Sequence, residues 1–416
     1  MVVSLLFSMN LSAAEENKPG FSLTLEHALR LVLEKNPEIA ASQSEINARD
    51  ARIIQANAFK NPELEMQMDN IYGNKELRNL ERAETTIAIS QTIELGGKRS
   101  KRTALASLER DVASWEFKAK RLDLIADVSK SFIDVVAAQK RVVLQEEMLK
   151  AAEQSYFAAS GRVQAGKISP IYETKASAEL ASAKAELERA RRSLEGARNK
   201  LALYWGESSP SFSIAEWSVR ENQPIPPYNA LLDLALKNPD IAKWETEISQ
   251  KKAAASLERA NRVPDPAIKF GIKQFNETKE RAYIVGLSFP LPFFNMNTGA
   301  IREAEHRLTK AESEKRAVEL KIKALLSDTY QILTSSFAEA STLRDTVVPA
   351  QQRAYDVVLE GYRYGKFSYA DLLETQRSLF DAKVKYIDTA ATHQKARFDI
   401  ERLTGVFSEN VIKGDN

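Results

Sequence analysis

The sequence predicts a mainly α protein with a smaller β component, in which strands form part of a barrel and long helices continue it as a tube. Three observations predict this. Residues 99–160 contain neither glycine nor proline, so nothing in them obliges a helix to stop. At 1.5 Å per residue, about 62 residues make a rod of roughly 90 Å, longer than most compact domains can use. Two pairs of strand-like runs alternate with a period of two. Finally, the whole pattern occurs twice, offset by about 200 residues.

Taken in order, residues 1–14 read as an export leader: 2–11 are mostly apolar, and Ser12, Ala13 and Ala14 supply the small residues of a cleavage site. The first repeat is expected over 15–206. Residues 25–34 suit a short amphipathic helix, and Asn36-Pro37 stops it and starts a second helix with Asn as cap and Pro in the first turn. Asn61-Pro62 ends that helix. Leu64, Met66 and Met68 then alternate with Glu63, Glu65, Gln67 and Asp69. After a polar turn at 70–82, Ile87, Ile89 and Ile93 face away from Ala88, Ser90 and Thr92, giving a hairpin over 62–95. Glu94-Leu95-Gly96-Gly97-Lys98-Arg99 breaks the strand and opens the long helix, expected over 99–161. Its seam follows heptad spacing through Leu105, Leu108, Val112, Trp115, Ala119, Leu122, Ala126, Ile133, Val136 and Val143. A return helix is expected over 171–205, and a proline-rich connection over 207–228.

The second repeat, 229–405, echoes the first. Asn238-Pro239 answers Asn36-Pro37, and Asp265-Pro266 answers Asn61-Pro62. Ile268, Phe270 and Ile272, then Tyr283, Val285, Leu287 and Phe289, form a second hairpin over 266–291. A long helix over 300–361 is interrupted only by Pro349, a return helix covers 368–404, and a tail follows at 406–416. Gly365-Lys366-Phe367-Ser368 answers Gly166-Lys167-Ile168-Ser169 at the helix tips. In each half the helix before the hairpin (about 22 residues) and the return helix (about 35) together match the long rod, so one chain can supply four helical columns.

The strands are near the 9–11 residues, approximately, that a tilted membrane strand requires. Four strands cannot close, and an open edge in lipid leaves backbone groups unpaired, so three copies with twelve strands are expected. On that expectation Leu64, Met66, Met68, Ile87, Ile89, Ile268, Phe270, Val285 and Leu287 face lipid. No later run reaches the ~18 apolar residues of a membrane helix.

Composition narrows function. Charged residues are 28% of the chain and aromatics 8%, closer to long helices than to large compact cores. A net charge of +2 with interleaved signs argues against nucleic acid. With no cysteine and three scattered histidines, His27, His306 and His393, neither a metal site nor a cofactor site is expected. No Ser-His-Asp set or glycine-rich phosphate loop points to an enzyme.

These residues resemble the TolC-like outer-membrane efflux proteins over nearly the whole mature chain. The Glu94–Arg99 junction and Leu291-Pro292-Phe293-Phe294-Asn295-Met296-Asn297-Thr298-Gly299 resemble the cobalt–zinc–cadmium (heavy-metal) branch. Met296 and Thr298 stand where members often carry Arg and Gln. The resemblance implies a homotrimeric outer-membrane β-barrel continued by an α-helical barrel across the periplasm, girdled by short elements at 206–228 and the tail. It implies a passive exit duct for heavy-metal cations, working with a periplasmic adaptor and an inner-membrane pump. The alternative is a drug-efflux or type I secretion duct. It implies adaptor docking at Ala165, Gly166, Lys167, Tyr364, Gly365 and Lys366, and an entrance formed by Tyr362, Asp371 and Glu374. Phe367 stands where some members place a gate arginine, a role for which Arg363 is an alternative.

Overall fold

The computed structural model describes residues 21–74, 80–216 and 225–406. The leader expected at 1–14, nearly all of the tail, and parts of the first hairpin loop and of the 207–228 connection lie outside the described residues.

The elements run β1 (Phe21–Thr24), α1 (Leu25–Lys35), α2 (Pro37–Asn57), β2 (Glu63–Asp69), β3 (Glu84–Thr92), α3 (Lys98–Gln164) and α4 (Ile171–Leu203). The second half follows with β4 (Phe212–Glu216), α5 (Tyr228–Ala235), α6 (Pro239–Asn261), β5 (Ala267–Phe275), β6 (Arg281–Ser288), α7 (Thr298–Thr342), α8 (Val348–Arg363) and α9 (Tyr369–Thr404). They fall into two compact units, and α3 and α7 each belong partly to both.

One unit comprises 38–120 and 235–324. It holds the four-stranded antiparallel sheet, in the order β2-β3-β5-β6, so the two hairpins join through β3 and β5 and leave β2 and β6 as open edges. Contacts pair α3 with α2 in antiparallel sense, from Arg102 Nε on Ala56 O at 2.9 Å to Arg110 on Asp50 at 3.1 Å. On another side Trp115 Nε1 donates to Thr246 Oγ1 of α6 at 3.1 Å. Asn238 begins α6, its side-chain oxygen accepting from the Asp240 N–H at 2.9 Å. In the other unit, the Asn36 side-chain amide donates to Tyr204 O at 2.8 Å.

That other unit comprises the described parts of 1–37, 121–234 and 325–416. Here the middle of α3 is buried on almost every side, with Ile125, Val128, Phe132 and Val135 among the most enclosed side chains. The heptad seam therefore widens into a fully packed segment. At its far end the expectation fails: Val143 is 57% exposed, and its neighbour Leu144 takes the buried place.

A ladder of ion pairs ties α3 to α9, each step up one helix matched by a step down the other. The pairs are Asp123–Arg402 (2.6 Å), Lys130–Asp399 (3.0 Å), Asp134–Lys395, Arg141–Asp388 and Glu147–Lys383 (3.0 Å). These groups are partly exposed, so each pair contributes at most about 1 kcal/mol.

β1 and β4 form a parallel pair that the sequence reading did not anticipate. The Gln139 side chain covers the far edge of β4, accepting from Ala215 N–H at 2.7 Å and donating to Ala215 O at 3.1 Å. The break before Pro349 also takes a definite form. Proline lacks an N–H, and its ring collides with the carbonyl four residues earlier. The chain answers with one wide π turn, Leu343–Val347, in which the Val348 N–H bonds to Leu343 O.

Candidate functional site

Two regions concentrate the residues singled out above. The first is the apolar, exposed face of the sheet. Cross-strand register sets Leu64 opposite Ile89, Met66 opposite Ile87, Ile89 opposite Phe270, Phe270 opposite Val285, and Ile268 opposite Leu287. Met68 lies on the same face opposite Thr85. All nine residues thus share one face, and all but the half-buried Ile268 are exposed. The other face is mostly polar or small, with Phe275 and Ile284 the large apolar exceptions. Lys269 pairs with Glu65 at 2.6 Å and Lys273 with Glu84. At its centre Ala88 is 1% exposed opposite Gly271, where an added Cβ would meet the Ala88 Cβ at 2.7 Å. Strand contact this close admits only glycine there.

The strand-to-helix junction beneath this sheet accounts for the Glu94–Arg99 motif. Gly96 and Gly97 adopt φ +68° and +70°, turning the chain sharply from β3 into α3. Lys98 then reaches Asp265 Oδ1 at 2.6 Å and Val263 O at 2.5 Å, and Leu95 N–H donates to the same carboxylate at 2.9 Å. Burial opposes the Asp265 charge, but the Lys98 bond, the Leu95 N–H and the nearby Lys60 together hold its carboxyl below the usual range. Arg102 grips Glu94 with two bonds, 2.7 and 3.1 Å, and that hydrogen bonding likewise lowers the Glu94 carboxyl. Asp265, Lys60 and Arg102 were missed as site residues. The available signal was that Asp265 replaces, in the second repeat, the Asn61 of the first.

The second region is the pair of helix tips in the other unit. α3 ends with Lys167 N–H on Arg162 O at 2.8 Å and Gly166 at φ +67°. α8 ends identically, with Lys366 N–H on Gly361 O at 2.8 Å and Gly365 at φ +78°. Both are Schellman closures, which place glycine in the left-handed region. Ala165, Gly166, Lys167, Tyr364, Gly365 and Lys366 are all exposed at these turns.

Tyr362 departs from the expectation of an entrance-lining side chain. It is 2% exposed, enclosed with Tyr355, Tyr369, Leu372, Ala159 and Ala176. Burial pushes the Tyr369 hydroxyl up to about 12, and neither it nor the Tyr362 hydroxyl has a hydrogen-bond partner among the described residues. The arginine over the Tyr362 ring is neither at 367 nor Arg363. It is Arg162 of the first tip, 4.7 Å from the ring centre. Phe367 packs on Gly361 so closely that a Cβ there would collide with its ring.

Asp371 is exposed and caps α9. Its carboxylate accepts from Ser368 N–H at 2.8 Å and Ser368 Oγ at 2.7 Å, while Ser368 Oγ accepts from Asp371 N–H at 3.1 Å. The Ser368 hydroxyl and amide bonds hold its carboxyl below the ordinary value. Glu374 is also exposed, in a cleft of about 350 Å³ with Tyr172, Lys175, Tyr369 and Arg377. The two carboxylates share a helix but form no common cluster. Among the described residues no group of His, Asp or Glu is arranged to hold a metal, and no helix is long and apolar enough to cross a membrane.

Residues 28–207 and 231–406 match the family model described as "Outer membrane efflux protein". The chain belongs to this family. Both matched segments coincide with the repeats, and the family is one of channels, not enzymes. An outer-membrane efflux channel is therefore what the sheet and the helices build. The cobalt-zinc-cadmium resistance protein CzcC of Cupriavidus metallidurans is 35% identical, with 92% of this chain and 90% of that protein aligned. The nickel and cobalt resistance protein CnrC of the same organism is 30% identical over 76% of this chain and 73% of its own length. Among solved structures, CusC superposes with a TM-score of 0.78 at 17% identity, covering 97% of this chain and 96% of that one. The outer-membrane channel OprN gives 0.79 at 16% identity, covering 92% and 89%.

Proposed function

We propose that three copies of this efflux protein form a passive exit duct for heavy-metal cations, engaging a periplasmic adaptor and through it an inner-membrane pump. One observation carries the assembly: a four-stranded sheet with one apolar exposed face and two open edges, β2 and β6. An unpaired edge in hydrocarbon costs several kcal/mol per backbone group, and pairing the edges of three copies removes every one of them. The nine apolar residues then meet lipid and the polar face lines the lumen.

The cargo reading rests on the CzcC and CnrC names, which belong to resistance proteins for cobalt, zinc, cadmium and nickel. A conduit needs no resident metal ligands, so a lumen without clustered His or Cys suits that role. The exposed tip residues, presented by two Schellman turns, suit adaptor docking, and Asp371 and Glu374 are assigned to the entrance with Tyr362 as packing behind it. The reading is tested by deleting the gene in its host and measuring the growth-inhibiting concentrations of cobalt, zinc and cadmium. Heightened metal sensitivity, reversed by the wild-type gene, is expected. Unchanged metal tolerance with heightened sensitivity to organic toxicants would move the duct to drug efflux.

A further inference from the structure

The Leu291–Gly299 motif is not explained by the sheet or by the tips. Residues 289–294, Phe-Pro-Leu-Pro-Phe-Phe, leave β6 and stand clear of their own chain, with Phe293 73% exposed and Phe294 fully so. The stretch is nevertheless held at both ends. β6 fixes its start, and at its finish Asn297, at φ +56°, donates through its amide to Glu258 O at 2.8 Å and Glu258 Oε2 at 2.7 Å. Arg262 reaches Met296 Sδ at 3.7 Å. An aromatic apex on a fixed mount is a presented surface.

Strand polarity says what it meets. β2, β3, β5 and β6 alternate in direction, so β6 runs opposite to β2. When β6 of one copy pairs with β2 of the next, the end of β6 at Ser288 arrives beside the start of β2 at Glu63. Immediately before β2 lies an open cleft of about 740 Å³ lined by Arg52, Gln55, Phe59, Arg102, Leu105 and Glu109. Pro290 and Pro292 have no N–H to donate, so the segment is ill suited to extend the strand ladder and offers mainly its side chains to a partner. Those side chains carry no charge, and the cleft offers guanidinium faces that suit aromatic rings. Arg99 already stacks on Phe59 at 3.9 Å, and the Arg52 side chain is 60% exposed.

We propose that residues 289–294 of one copy seat in the cleft before β2 of the neighbouring copy, an aromatic plug at the foot of each sheet seam. The proposal rests on the three-copy reading above. It makes the motif an assembly device that selects a second copy of this chain as its partner.

The absence of native cysteine permits a clean test. Full-length Phe293→Cys/Gln55→Cys, expressed in the outer membrane and treated with a short thiol-specific cross-linker, should yield covalent dimers and trimers on a denaturing gel. Either single variant should stay monomeric there. In the same membranes a nitroxide on Phe294→Cys should be shielded from both oxygen and a water-soluble nickel chelate. Monomers only from the double variant, with a wild type that is trimeric in detergent, would overturn the seat alone. Strong oxygen broadening without nickel broadening would place the ring in lipid and also overturn it. A monomeric wild type would overturn the three-copy reading itself.

Discussion

Phe270 sits on the apolar face of the sheet with Ile89 on one side and Val285 on the other, exposed in the single chain. Phe270→Arg sets a guanidinium against hydrocarbon and is expected to cost about 2–4 kcal/mol of barrel stability. The check is the temperature at which the detergent-extracted assembly dissociates on a gel. An unchanged temperature would mean that this face does not meet lipid. Asp371 yields a prediction in pH. Its folded carboxyl titrates below the ordinary value because it is bonded to Ser368. The cap is therefore fully present above the unfolded value of about 3.9 and is lost as pH falls through the folded one. Amide exchange in the first turn of α9 should stay slow, relative to intrinsic rates, through the mildly acidic range and quicken only below about pH 4. Quickening between about pH 5 and 6 would contradict the capping geometry. Tyr362 carries a different lesson. Its neighbours in sequence suggest an exposed tip, but its ring is enclosed by residues from α3, α4 and α9, contacts that no local pattern encodes.

At the scale of elements, the two tips are the clearest repeat. Gly166 and Gly365 both need φ near +70°, whereas proline is confined to about −65°. The Gly166→Pro/Gly365→Pro variant should therefore reach the outer membrane, because the sheet belongs to the other compact unit, yet lose efflux-dependent resistance. Normal resistance in cells with normal surface levels of the variant would remove the docking proposal. Much of this level was legible. Alternation at 63–69 and 267–275 placed the strands and set their apolar residues on one face, and the glycine turns gave the tips. Elements that depend on distant partners were not. β1 and β4 are four and five residues long and exist by pairing across the length of a repeat. The role of Lys98 needed Asp265, 167 residues away. Val143 fits the heptad but stands where the helix faces outward, since spacing fixes a face and not what covers it.

For the whole molecule, the entrance assignment has an electrical consequence. In a three-copy duct Asp371 and Glu374 would each recur around the axis, and rings of like charge at a constriction favour cations. The purified duct in a planar bilayer should be cation-selective, most strongly at low salt, where screening is weakest. Asp371→Asn/Glu374→Gln retains a capping side chain at 371 and should shift the reversal potential toward zero in a salt gradient. An unchanged potential would place both carboxylates on the solvated outer surface. The ladder between α3 and α9 has a further meaning. Its neighbouring rungs, Asp134–Lys395 and Arg141–Asp388, are seven residues apart on each helix and opposite in polarity. Heptad packing alone would tolerate a slide of one repeat, because apolar side chains would again meet apolar ones. Such a slide in one direction brings Asp134 against Asp388, and in the other Arg141 against Lys395. The charges that add so little to the strength of the bundle thus act as a key at this pair of rungs, setting like charges face to face when the helices slip by one heptad either way.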